Sequence, residues 1–300
     1  MEIKKVIVVY KKTLYQLYGK EQKDARFLKL IGENNRTVRR LKRVHEKHTQ
    51  SLEKLKSILK KHRIEAQFVY RADHFNEKNA DLIISLGGDG TFLEAARSTH
   101  CKPILGIKSS PIGSVGMFCG VEMGQFEKVL EKIKLDQAPF VQLHRLKLTI
   151  DGKSISLPVL NDILITHANP AAMSRFLVVY NHKTEDICSS GLWVSPPAGS
   201  TGGIRSGGGK ILPLEKKCFQ FLIREPYEGP GRVVKVKKGL VHPGEPFKVI
   251  SKMRKGGIYL DGSHRRIPFV IGETLNVGLH EHPLKVFAYN TSKRKKLQNK

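Results

Sequence analysis

The pattern of apolar residues divides the chain into two parts that predict different kinds of structure. In the first part, short apolar runs alternate with longer segments in which apolar side chains recur every three or four positions. Four runs predict buried strands, at residues 5–10, 66–70, 81–86 and 103–107. Two segments predict helices, at residues 22–62, where residues 32–35 can interrupt the helix, and at residues 125–133. Strands that alternate with helices predict a parallel sheet covered on both faces.

In the second part, short alternating segments are separated by Gly and Pro. Residues 146–150 alternate, residues 151–152 predict a tight turn, and residues 156–166 return, which together predict a hairpin. Six more segments predict strands, at residues 176–180, 192–195, 219–223, 247–250, 257–260 and 274–278. Short strands with Gly and Pro between them predict an all-β region, either a sandwich or layered sheets.

These patterns predict two domains. An α/β domain with a parallel sheet covers residues 1–142, and a β-rich domain covers residues 143–300 and ends in a basic tail. The length of 300 residues and a hydrophobic content of 40% suit a globular protein with a sizeable core. No apolar run approaches the roughly 18 residues that cross a bilayer, so we expect no membrane association.

A glycine-rich turn lies between a predicted strand and a predicted helix, at residues 86–91. Such a turn presents backbone N–H groups and the positive end of a helix dipole, which suit a phosphate group. Asp89 lies between Gly88 and Gly90, and its negative charge would repel phosphate. Asp89 is better suited to accept a hydroxyl proton or to hold a metal ion, which favours phosphoryl transfer to an alcohol. The alternative is a tight turn in which Asp89 caps the helix.

A second glycine-rich segment covers residues 195–209, with six glycines and four hydroxyl residues. It predicts a flexible loop rich in hydrogen-bond donors, in which Ser200 and Thr201 could cap a short helix that faces an anion. The alternative is a long surface loop. Two smaller features are Asn161-Asp162, inside an apolar run predicted as one strand over 160–165, and Asp261-Gly262. The first pair either faces a ligand or is satisfied within the core, and the second favours a hairpin turn.

The formal net charge of +26 predicts a strong attraction for anions. Basic residues concentrate at residues 36–63 and in the tail at residues 293–300. These stretches either attract anions or are a solvated helix face and a frayed tail. We expect removal of residues 293–300 to have little effect on nucleotide affinity. The stretch 36–63 contains no aromatic residue, so nucleic-acid binding is not expected.

Cysteine use points to a reducing compartment. The four cysteines are scattered without a Cys-x-x-Cys pair, which favours reduced thiols and argues against a zinc site. The apolar segment near the N-terminus predicts a first core strand and lacks a signal-peptide cleavage pattern. We therefore expect a cytoplasmic protein.

Four motifs, taken in their order along the chain, resemble those of the NAD kinase family. They are Gly87-Gly88-Asp89-Gly90-Thr91, Asn161-Asp162, the segment 200–209 that begins with Ser200-Thr201, and Asp261-Gly262. The resemblance runs from about residue 81 to about residue 262. The first motif also occurs in lipid kinases and phosphofructokinases, so the ordered set is more specific than any one motif.

This resemblance implies an α/β domain and a β domain that transfer the γ-phosphoryl group of ATP to the 2′-hydroxyl of the adenosine ribose of NAD or NADH, with Mg²⁺. Asp89 would be the general base. The residues implied to bind nucleotide or cofactor are Gly88, Gly90, Asn161, Asp162, Ser190, Thr201, Gly202, Gly203 and Ser206. The resemblance also implies a homo-oligomer, either a dimer or a tetramer, and leaves ATP and polyphosphate open as donors.

The sequence departs from the family pattern at three of these positions. Ser190 stands where the family usually has Asp, Gly203 replaces a tyrosine that stacks on a ring, and Asp162 replaces Glu. These departures concern dinucleotide affinity and the preference for NAD or NADH, and they do not touch Asp89. Two other functions stay open: a lipid kinase of the diacylglycerol or sphingoid type, and a non-catalytic anion- or nucleic-acid-binding protein on the same fold.

Overall fold

The computed structural model describes residues 1–111, 116–230 and 233–298. The chain divides into two compact units: the first contains Met1–Val141 and Leu284–Lys300, and the second contains Gln142–Pro283. Within the described residues, no helix combines the length and the apolar composition that a membrane span requires.

The first unit is built around a largely parallel sheet with strand order β2-β1-β3-β4-β19-β6, in which β5 also pairs with β4. Its strands are β1 (Lys5–Tyr10), β2 (Glu65–Tyr70), β3 (Leu82–Gly87), β4 (Ile104–Lys108), β5 (Val121–Glu122), β6 (Phe140–Leu143) and β19 (Leu284–Phe287). The pairs among β1, β2, β3 and β4 are parallel, and the side chains of β3 are buried throughout. The carboxyl ends of these strands therefore meet at one edge of the sheet.

Helices join the strands of this sheet. They are α1 (Ala25–Gly32), α2 (Arg36–Lys61), α3 (Asp89–Arg97) and α4 (Phe126–Lys134), and a π-helical turn spans Tyr15–Glu21. The predicted interruption of the long N-terminal helix is confirmed, because Asn34 has a φ of +52° and Asn35 caps α2 through Thr37 N at 2.9 Å. Helix α2 buries Leu55 and Leu59 against the sheet side of the unit.

The second unit contains two antiparallel six-stranded sheets that share one apolar core. One sheet contains β7 (Leu146–Ile150), β8 (Lys153–Val159), β10 (Ser174–Tyr180), β11 (Lys183–Ser189), β15 (Phe247–Ser251) and β18 (Thr274–Leu279). The other contains β9 (Ile163–His167), β12 (Gly191–Ser195), β13 (Phe219–Arg224), β14 (Lys238–Val241), β16 (Gly256–Leu260) and β17 (Arg266–Phe269). The predicted combination of an α/β region and an all-β region is confirmed.

The C-terminal segment differs from the predicted division, which ran the second domain to residue 300. Strand β19 returns to the first sheet, where Val286 pairs with Ile104 in parallel register. After it, the helix α6 (Thr291–Gln298) buries Arg294, so the described tail is not a frayed extension. A four-residue strand is too short to indicate from sequence which sheet it joins.

The position of Asn161-Asp162 also differs from the prediction. These residues precede β9 instead of lying within it, and β9 begins at Ile163. The reason lies in Asp261, whose carboxylate accepts hydrogen bonds from the N–H groups of Leu160, Asn161 and Asp162 at 3.2, 2.6 and 3.2 Å. These amides are therefore satisfied by a side chain and do not join the sheet.

Candidate active site

The glycine turn of the first unit joins the end of β3 to the start of α3. Gly88 is the N-cap residue with extended backbone angles, and Asp89 is the first residue of the helix. The interpretation of Asp89 as the helix cap is therefore wrong. A helix that begins beside a glycine turn leaves its first N–H groups available to an anion.

The Asp89 carboxylate is held by the backbone of a distant segment. Its Oδ2 accepts a hydrogen bond from Met117 N at 3.0 Å, and its Oδ1 accepts one from Phe118 N at 2.8 Å. The Phe118 ring stacks on Phe92 of α3 with centroids 5.2 Å apart and an interplanar angle of 9°. Because each oxygen accepts one backbone N–H and retains a further lone pair, the carboxylate is oriented but still able to accept a proton or coordinate a cation.

Three basic residues follow the same edge of the sheet. Lys11 comes directly after β1, Arg71 directly after β2, and Lys108 ends β4. A Cβ atom built on Gly90 would lie 3.8 Å from Arg71 Nη1. Burial lowers the pKa of Lys11, and the positive charge of Arg71 lowers it further, which places these two cations close together. This cluster of positive charge suits a polyanion.

Cys119 lies among these charges but is not a candidate nucleophile. Burial raises the pKa of its thiol, the negative charge of Asp89 raises it further, and Lys108 and Lys11 oppose that rise. A thiol held in its neutral form is a poor nucleophile and a poor metal ligand. Of these two groups, Asp89 is therefore the better candidate for a base.

The described residues contain one group of three side chains with spacing suited to a metal ion: His62, Glu127 and Glu131. Glu127 Oε1 is already in contact with Lys61 Nζ at 2.9 Å and with His62 Nε2 at 3.0 Å. An ammonium group at the same oxygen would repel a cation, so this cluster is better described as an ion-pair network between α2 and α4.

The second unit contains a cavity of about 520 Å³. It lies against the sheet that contains β9, β12 and β16. Its lining residues are Asp162, Leu164, Thr166, His167, Ala168, Pro170, Ser190, Trp193, Arg224, Tyr259, Gly262 and Ser263. The Arg224 guanidinium lies 5.8 Å from the centre of the Trp193 ring. An aromatic surface with a few polar groups is typical of a small-molecule site.

Asp162 is the acidic group of this cavity, and its side chain is 4% exposed. Its Oδ2 accepts a hydrogen bond from Asn161 Nδ2 at 2.7 Å. Burial raises the pKa of Asp162 to about 7, and the nearby negative charge of Asp261 adds to that rise. Near neutral pH this carboxyl group is therefore poised between its charged and neutral forms.

Replacing Asp162 with Asn should make the free energy of unfolding less dependent on pH. The folded wild type keeps the Asp162 proton up to about pH 7, whereas the unfolded chain loses it near its ordinary pKa of 3.8. Between these values the folded state binds more protons, so its stability falls as pH rises. We expect the variant to gain up to about 4 kcal/mol relative to wild type between pH 4 and pH 7. Urea unfolding at several pH values measures this.

The matched control is Asp186→Asn, which removes a carboxylate that is exposed on β11 and pairs with Lys252 Nζ at 2.6 Å. This change should not remove the fall in stability between pH 4 and pH 7 that the buried Asp162 carboxyl group produces. If Asp162→Asn and wild type have parallel stability curves from pH 4 to pH 8, Asp162 is ionised in the folded state throughout that range.

The predicted flexible loop at residues 195–209 is largely ordered and partly buried. A 3₁₀-helix spans Pro197–Thr201, and the short helix α5 spans Gly203–Ser206. Ser200 is fully buried, and its hydroxyl donates to Pro197 O and accepts from Leu212 N. Ser200 and Thr201 do not cap the short helix, whose N-cap is Gly202 without a side-chain hydrogen bond. The segment is thus a structural wall next to Asn161.

Gly203 lies beside an aromatic ring. A Cβ atom built on Gly203 would lie 3.2 Å from Cζ2 of Trp193. The space next to residue 203, where the family pattern has a tyrosine, is thus bounded by the Trp193 indole. Trp193 also lines the cavity, so the aromatic surface is provided by β12 instead of the loop.

Gly203→Tyr should lower the affinity for a planar ligand in this cavity, since the new ring and the Trp193 indole compete for one space. An aromatic stack contributes roughly 0.5–1.5 kcal/mol, so we expect the ligand dissociation constant to rise about 2- to 10-fold. Isothermal titration with NAD and with NADH measures this change.

The double variant Trp193→Ala with Gly203→Tyr is the control. It removes the clash and restores one aromatic ring, so it should recover affinity relative to Gly203→Tyr alone, with a favourable coupling energy. Additive effects in the four proteins would show that residues 193 and 203 do not share this space.

The structure distributes the sequence-predicted residues over both units. Gly88, Asp89 and Gly90 form the turn of the first unit. In the second unit, Asp162 and Ser190 line the cavity. Asn161 donates a hydrogen bond to Asp162. Gly202 lies beside the Asn161 side chain, and Gly203 lies beside Trp193. Thr201 and the exposed Ser206 are not among the lining residues.

Several residues of the two sites were missed by sequence reasoning. They are Lys11, Arg71, Lys108, Met117, Phe118, His167, Trp193, Arg224 and Tyr259. Position after a parallel strand is a usable signal for Lys11, Arg71 and Lys108, since ligands bind at the carboxyl ends of such strands. The other residues in this list have no local sequence pattern that would identify them as part of a site.

Comparison with known proteins shows which family the chain resembles over most of its length. The family model described as the ATP-NAD kinase N-terminal domain matches residues 7–137. A probable NADH kinase of Oryza sativa subsp. japonica is 31% identical over 262 residues, which cover 80% of this chain and 81% of the rice protein. An NADH kinase of Arabidopsis thaliana is 28% identical over 273 residues, which cover 80% of this chain and 83% of the Arabidopsis protein.

Among solved structures, an NAD kinase from Archaeoglobus fulgidus in complex with ATP superposes with a TM-score of 0.70 at 21% identity. The match covers 98% of this chain and 97% of the archaeal chain, so the fold is the same. The rice relative exceeds 30% identity over most of both chains. With two glycine motifs, an acid at a strand end and a matching fold, the chain belongs to the NAD kinase family.

Proposed function

We propose that this protein is an NAD(H) kinase, in which Asp89 is the general base for transfer of the γ-phosphoryl group of ATP to the 2′-hydroxyl of the adenosine ribose. The observation that carries this proposal is the Asp89 carboxylate, fixed by two backbone amides at the end of a parallel strand and next to a cluster of cations. The NAD(H) kinase names of its relatives support it.

The reaction requires one proton acceptor and one phosphoryl acceptor. Asp89 takes the proton of the ribose hydroxyl, and the hydroxyl oxygen forms a bond to the γ-phosphorus. The bond from that phosphorus to the β,γ-bridging oxygen breaks, and its electron pair leaves with ADP. An oriented carboxylate favours this step because little reorganisation is needed when the proton moves.

The cation cluster of the first unit is our proposed site for the phosphate chain of the donor. Lys11, Arg71 and Lys108 together carry positive charge at the same edge as the glycine turn. Positive charge fixed before the reaction stabilises the charge that develops on the transferred group and on ADP. A chain of linked phosphates offers the same charge pattern, so polyphosphate stays an alternative donor.

The chemistry of Asp89 also fits a divalent cation of the Mg²⁺ type. Mg²⁺ binds through one or two carboxylates together with substrate phosphates and water, and each Asp89 oxygen retains a lone pair beyond its amide hydrogen bond. When bound, the ion would offset charge on the donor phosphates. We propose that one Asp89 oxygen would hold the ion while the other takes the ribose proton, since each keeps one lone pair.

We assign the cavity of the second unit to the dinucleotide. Its volume of about 520 Å³ lies within the usual range for small-molecule sites of about 300–1,000 Å³. Trp193 and Tyr259 offer aromatic surface, Asp162 and Ser190 offer hydrogen-bonding groups, and Arg224 offers a positive charge suited to a phosphate.

Incubation of the purified protein with ATP, Mg²⁺ and either NAD or NADH tests the proposal. We expect formation of NADP or NADPH, at a rate about 10²–10⁴-fold lower in parallel reactions of the Asp89→Asn variant, which excludes a contaminating kinase. Replacing ATP with polyphosphate decides the donor. Phosphorylation of diacylglycerol or sphingosine without NADP(H) formation would favour the lipid kinase alternative and overturn the proposal.

Three expectations from the sequence accompany this function and stay predictions. A homo-oligomer, a cytoplasmic location and the absence of nucleic-acid binding are tested by light scattering, by fractionation and by electrophoretic mobility shift at low and high salt. A complex with duplex DNA whose affinity falls steeply with salt would favour the second, non-catalytic function.

A further inference from the structure

The C-terminal segment packs directly onto the loop that holds Asp89. After β19, Ala288 adopts a φ of +50°, a left-handed conformation that is unfavourable for a residue other than Gly and persists only where the surroundings enforce it. A Cβ atom built on Gly120 would overlap Ala288 O and lie 3.1 Å from Asn290 N. The backbone of residues 288–290 is therefore in close contact with the end of the loop at residues 116–120.

Tyr289 extends this contact to the residue that binds Asp89. Its side chain is 7% exposed, and its ring meets Phe118 edge-on, with centroids 6.1 Å apart and an interplanar angle of 70°. Phe118 is held on its other side by Phe92, and its N–H donates to Asp89 Oδ1. Three aromatic rings thus fix the position of one of the two amides.

Arg294 is the buried basic residue of α6. Its side chain is 4% exposed, whereas the next two residues, Lys295 and Lys296, are exposed. A buried guanidinium is costly unless other groups compensate its charge. Burial raises the pKa of the Tyr289 hydroxyl, Arg294 lowers it, and the negative charge of Asp89 raises it. The guanidinium and the Asp89 carboxylate therefore both lie within electrostatic reach of the same phenol.

We infer that Arg294 is a positioning residue for Asp89, acting through Tyr289 and Phe118 so that the C-terminal helix fixes the Phe118 amide, one of the two that orient the carboxylate. This inference deepens the proposed function and rests on it. Asn290 anchors the start of α6, since its Oδ1 accepts from Lys293 N at 3.1 Å and from Ser292 Oγ at 3.1 Å. The helix is thereby joined to the segment that contacts the loop.

The physical role is restriction of a short loop. Without the buried guanidinium, the Tyr289 hydroxyl loses a positive charge within its electrostatic reach, and we expect the C-terminal segment to be held less firmly against Phe118. The amides of Met117 and Phe118 then sample other orientations. Because these amides orient the Asp89 carboxylate, the carboxylate also samples other orientations. A displacement of about 1 Å in a catalytic group can lower the rate about a hundredfold.

The first test compares Arg294→Ala with Lys295→Ala, because each removes one positive charge from the same helix. Arg294→Ala should lower kcat by about ten- to a hundredfold and change KM for ATP and NAD(H) by less than about threefold. Lys295→Ala should match the wild type in both constants. Arg294→Lys, which keeps the charge but not the planar group, should recover part of kcat.

The second test needs no catalysis. Hydrogen exchange of the Met117 and Phe118 amides should be faster in Arg294→Ala than in wild type and unchanged in Lys295→Ala. If Arg294→Ala fails to fold, Tyr289→Phe decides. This variant keeps the ring on Phe118 and removes the hydroxyl on which the Arg294 charge acts. It should show a smaller loss of the same kind in kcat and in amide protection.

The outcomes separate this inference from the proposed function. Absence of NAD(H) kinase activity in the wild type would overturn the proposed function, while amide exchange would still decide the role of Arg294. Wild-type kcat and wild-type amide protection in both Arg294→Ala and Tyr289→Phe would overturn the inference. A rise in KM with unchanged kcat would overturn it as well, since it would indicate substrate binding by α6 instead of positioning of Asp89.

Discussion

Asp89→Asn is expected to lower kcat by about 10²–10⁴-fold, the usual cost of losing a general base. The amide has nearly the shape of the carboxylate but cannot take the hydroxyl proton. It also cannot accept hydrogen bonds at both terminal atoms, as Asp89 does from Met117 N and Phe118 N, because one of them becomes an NH₂ group. Steady-state and single-turnover kinetics with NAD and ATP measure this loss.

Dinucleotide affinity should stay within about threefold of the wild-type value, because an interaction that acts mainly in the transition state contributes little to ground-state binding. Asp73→Asn is the matched control, since it removes an exposed carboxylate of the same unit and should leave kcat unchanged. A variant Asp89→Asn with near-normal turnover would remove Asp89 from the proton transfer. Loss of binding and turnover together would instead assign it to substrate binding.

The glycine turn was predictable because its signals are local. A buried apolar run that stops at glycines and is followed by a helical pattern marks the end of a parallel strand. As expected, β3 ends at Gly87 and α3 begins at Asp89. What holds Asp89 was not predictable. Its two hydrogen-bond donors lie 28 and 29 positions further along the chain, and backbone amides leave no trace in the sequence.

The cation cluster illustrates the same limit for side chains. Lys11, Arg71 and Lys108 are three of 53 basic residues, and each looks like an ordinary surface residue in its own segment. They meet because β1, β2 and β4 run parallel in one sheet and so end at one edge. The sequence predicts the strands and their parallel direction, but it does not predict their order in the sheet. Without that order, the proximity of these three residues cannot be inferred.

The tail shows how composition can mislead. A run rich in Lys and Arg predicts a solvated segment. Lys295 and Lys296 are indeed exposed, but Arg294, which precedes them in the chain, is buried. One residue in four of a helix can face inward without altering the average character of the segment. The sequence predicts that removal of residues 293–300 has little effect, whereas the burial of Arg294 predicts a loss of activity. Measurements on the Arg294 variants distinguish these two expectations.

The residues Asp162 and Ser190 of the second-unit cavity were predicted through motifs, and the other residues of its walls were not. Asn161-Asp162 could be identified because these polar residues interrupt an apolar pattern. Ser190 could be identified because it departs from the family pattern. Trp193 fits the alternation of a strand and looked like a core residue. Its role as the aromatic neighbour of Gly203 depends on how the segment at residues 197–206 folds over β12, which the glycine-rich sequence made appear flexible.

Gly199→Ala is expected to be the most disruptive small change in this wall. Gly199 is buried in the 3₁₀-helix Pro197–Thr201, and a Cβ atom there would lie 2.7 Å from Asn161 Cα and closer still to its carbonyl group. Neither backbone can yield alone, because the amide of Asn161 is bound by Asp261. Overpacking of this kind costs about 1–3 kcal/mol or more, so the melting temperature should fall by several degrees.

The added methyl group should also weaken dinucleotide binding, since movement of Asn161 carries Asp162 with it through their 2.7 Å hydrogen bond. Gly278→Ala in β18 is the matched control in the same unit, because a Cβ atom there meets no heavy atom within 4 Å, and it should preserve both stability and affinity. Calorimetry and NAD(H) titration of the two variants measure the difference. Equal behaviour of Gly199→Ala and Gly278→Ala would mean that the close approach of Gly199 to Asn161 does not support the wall of the cavity.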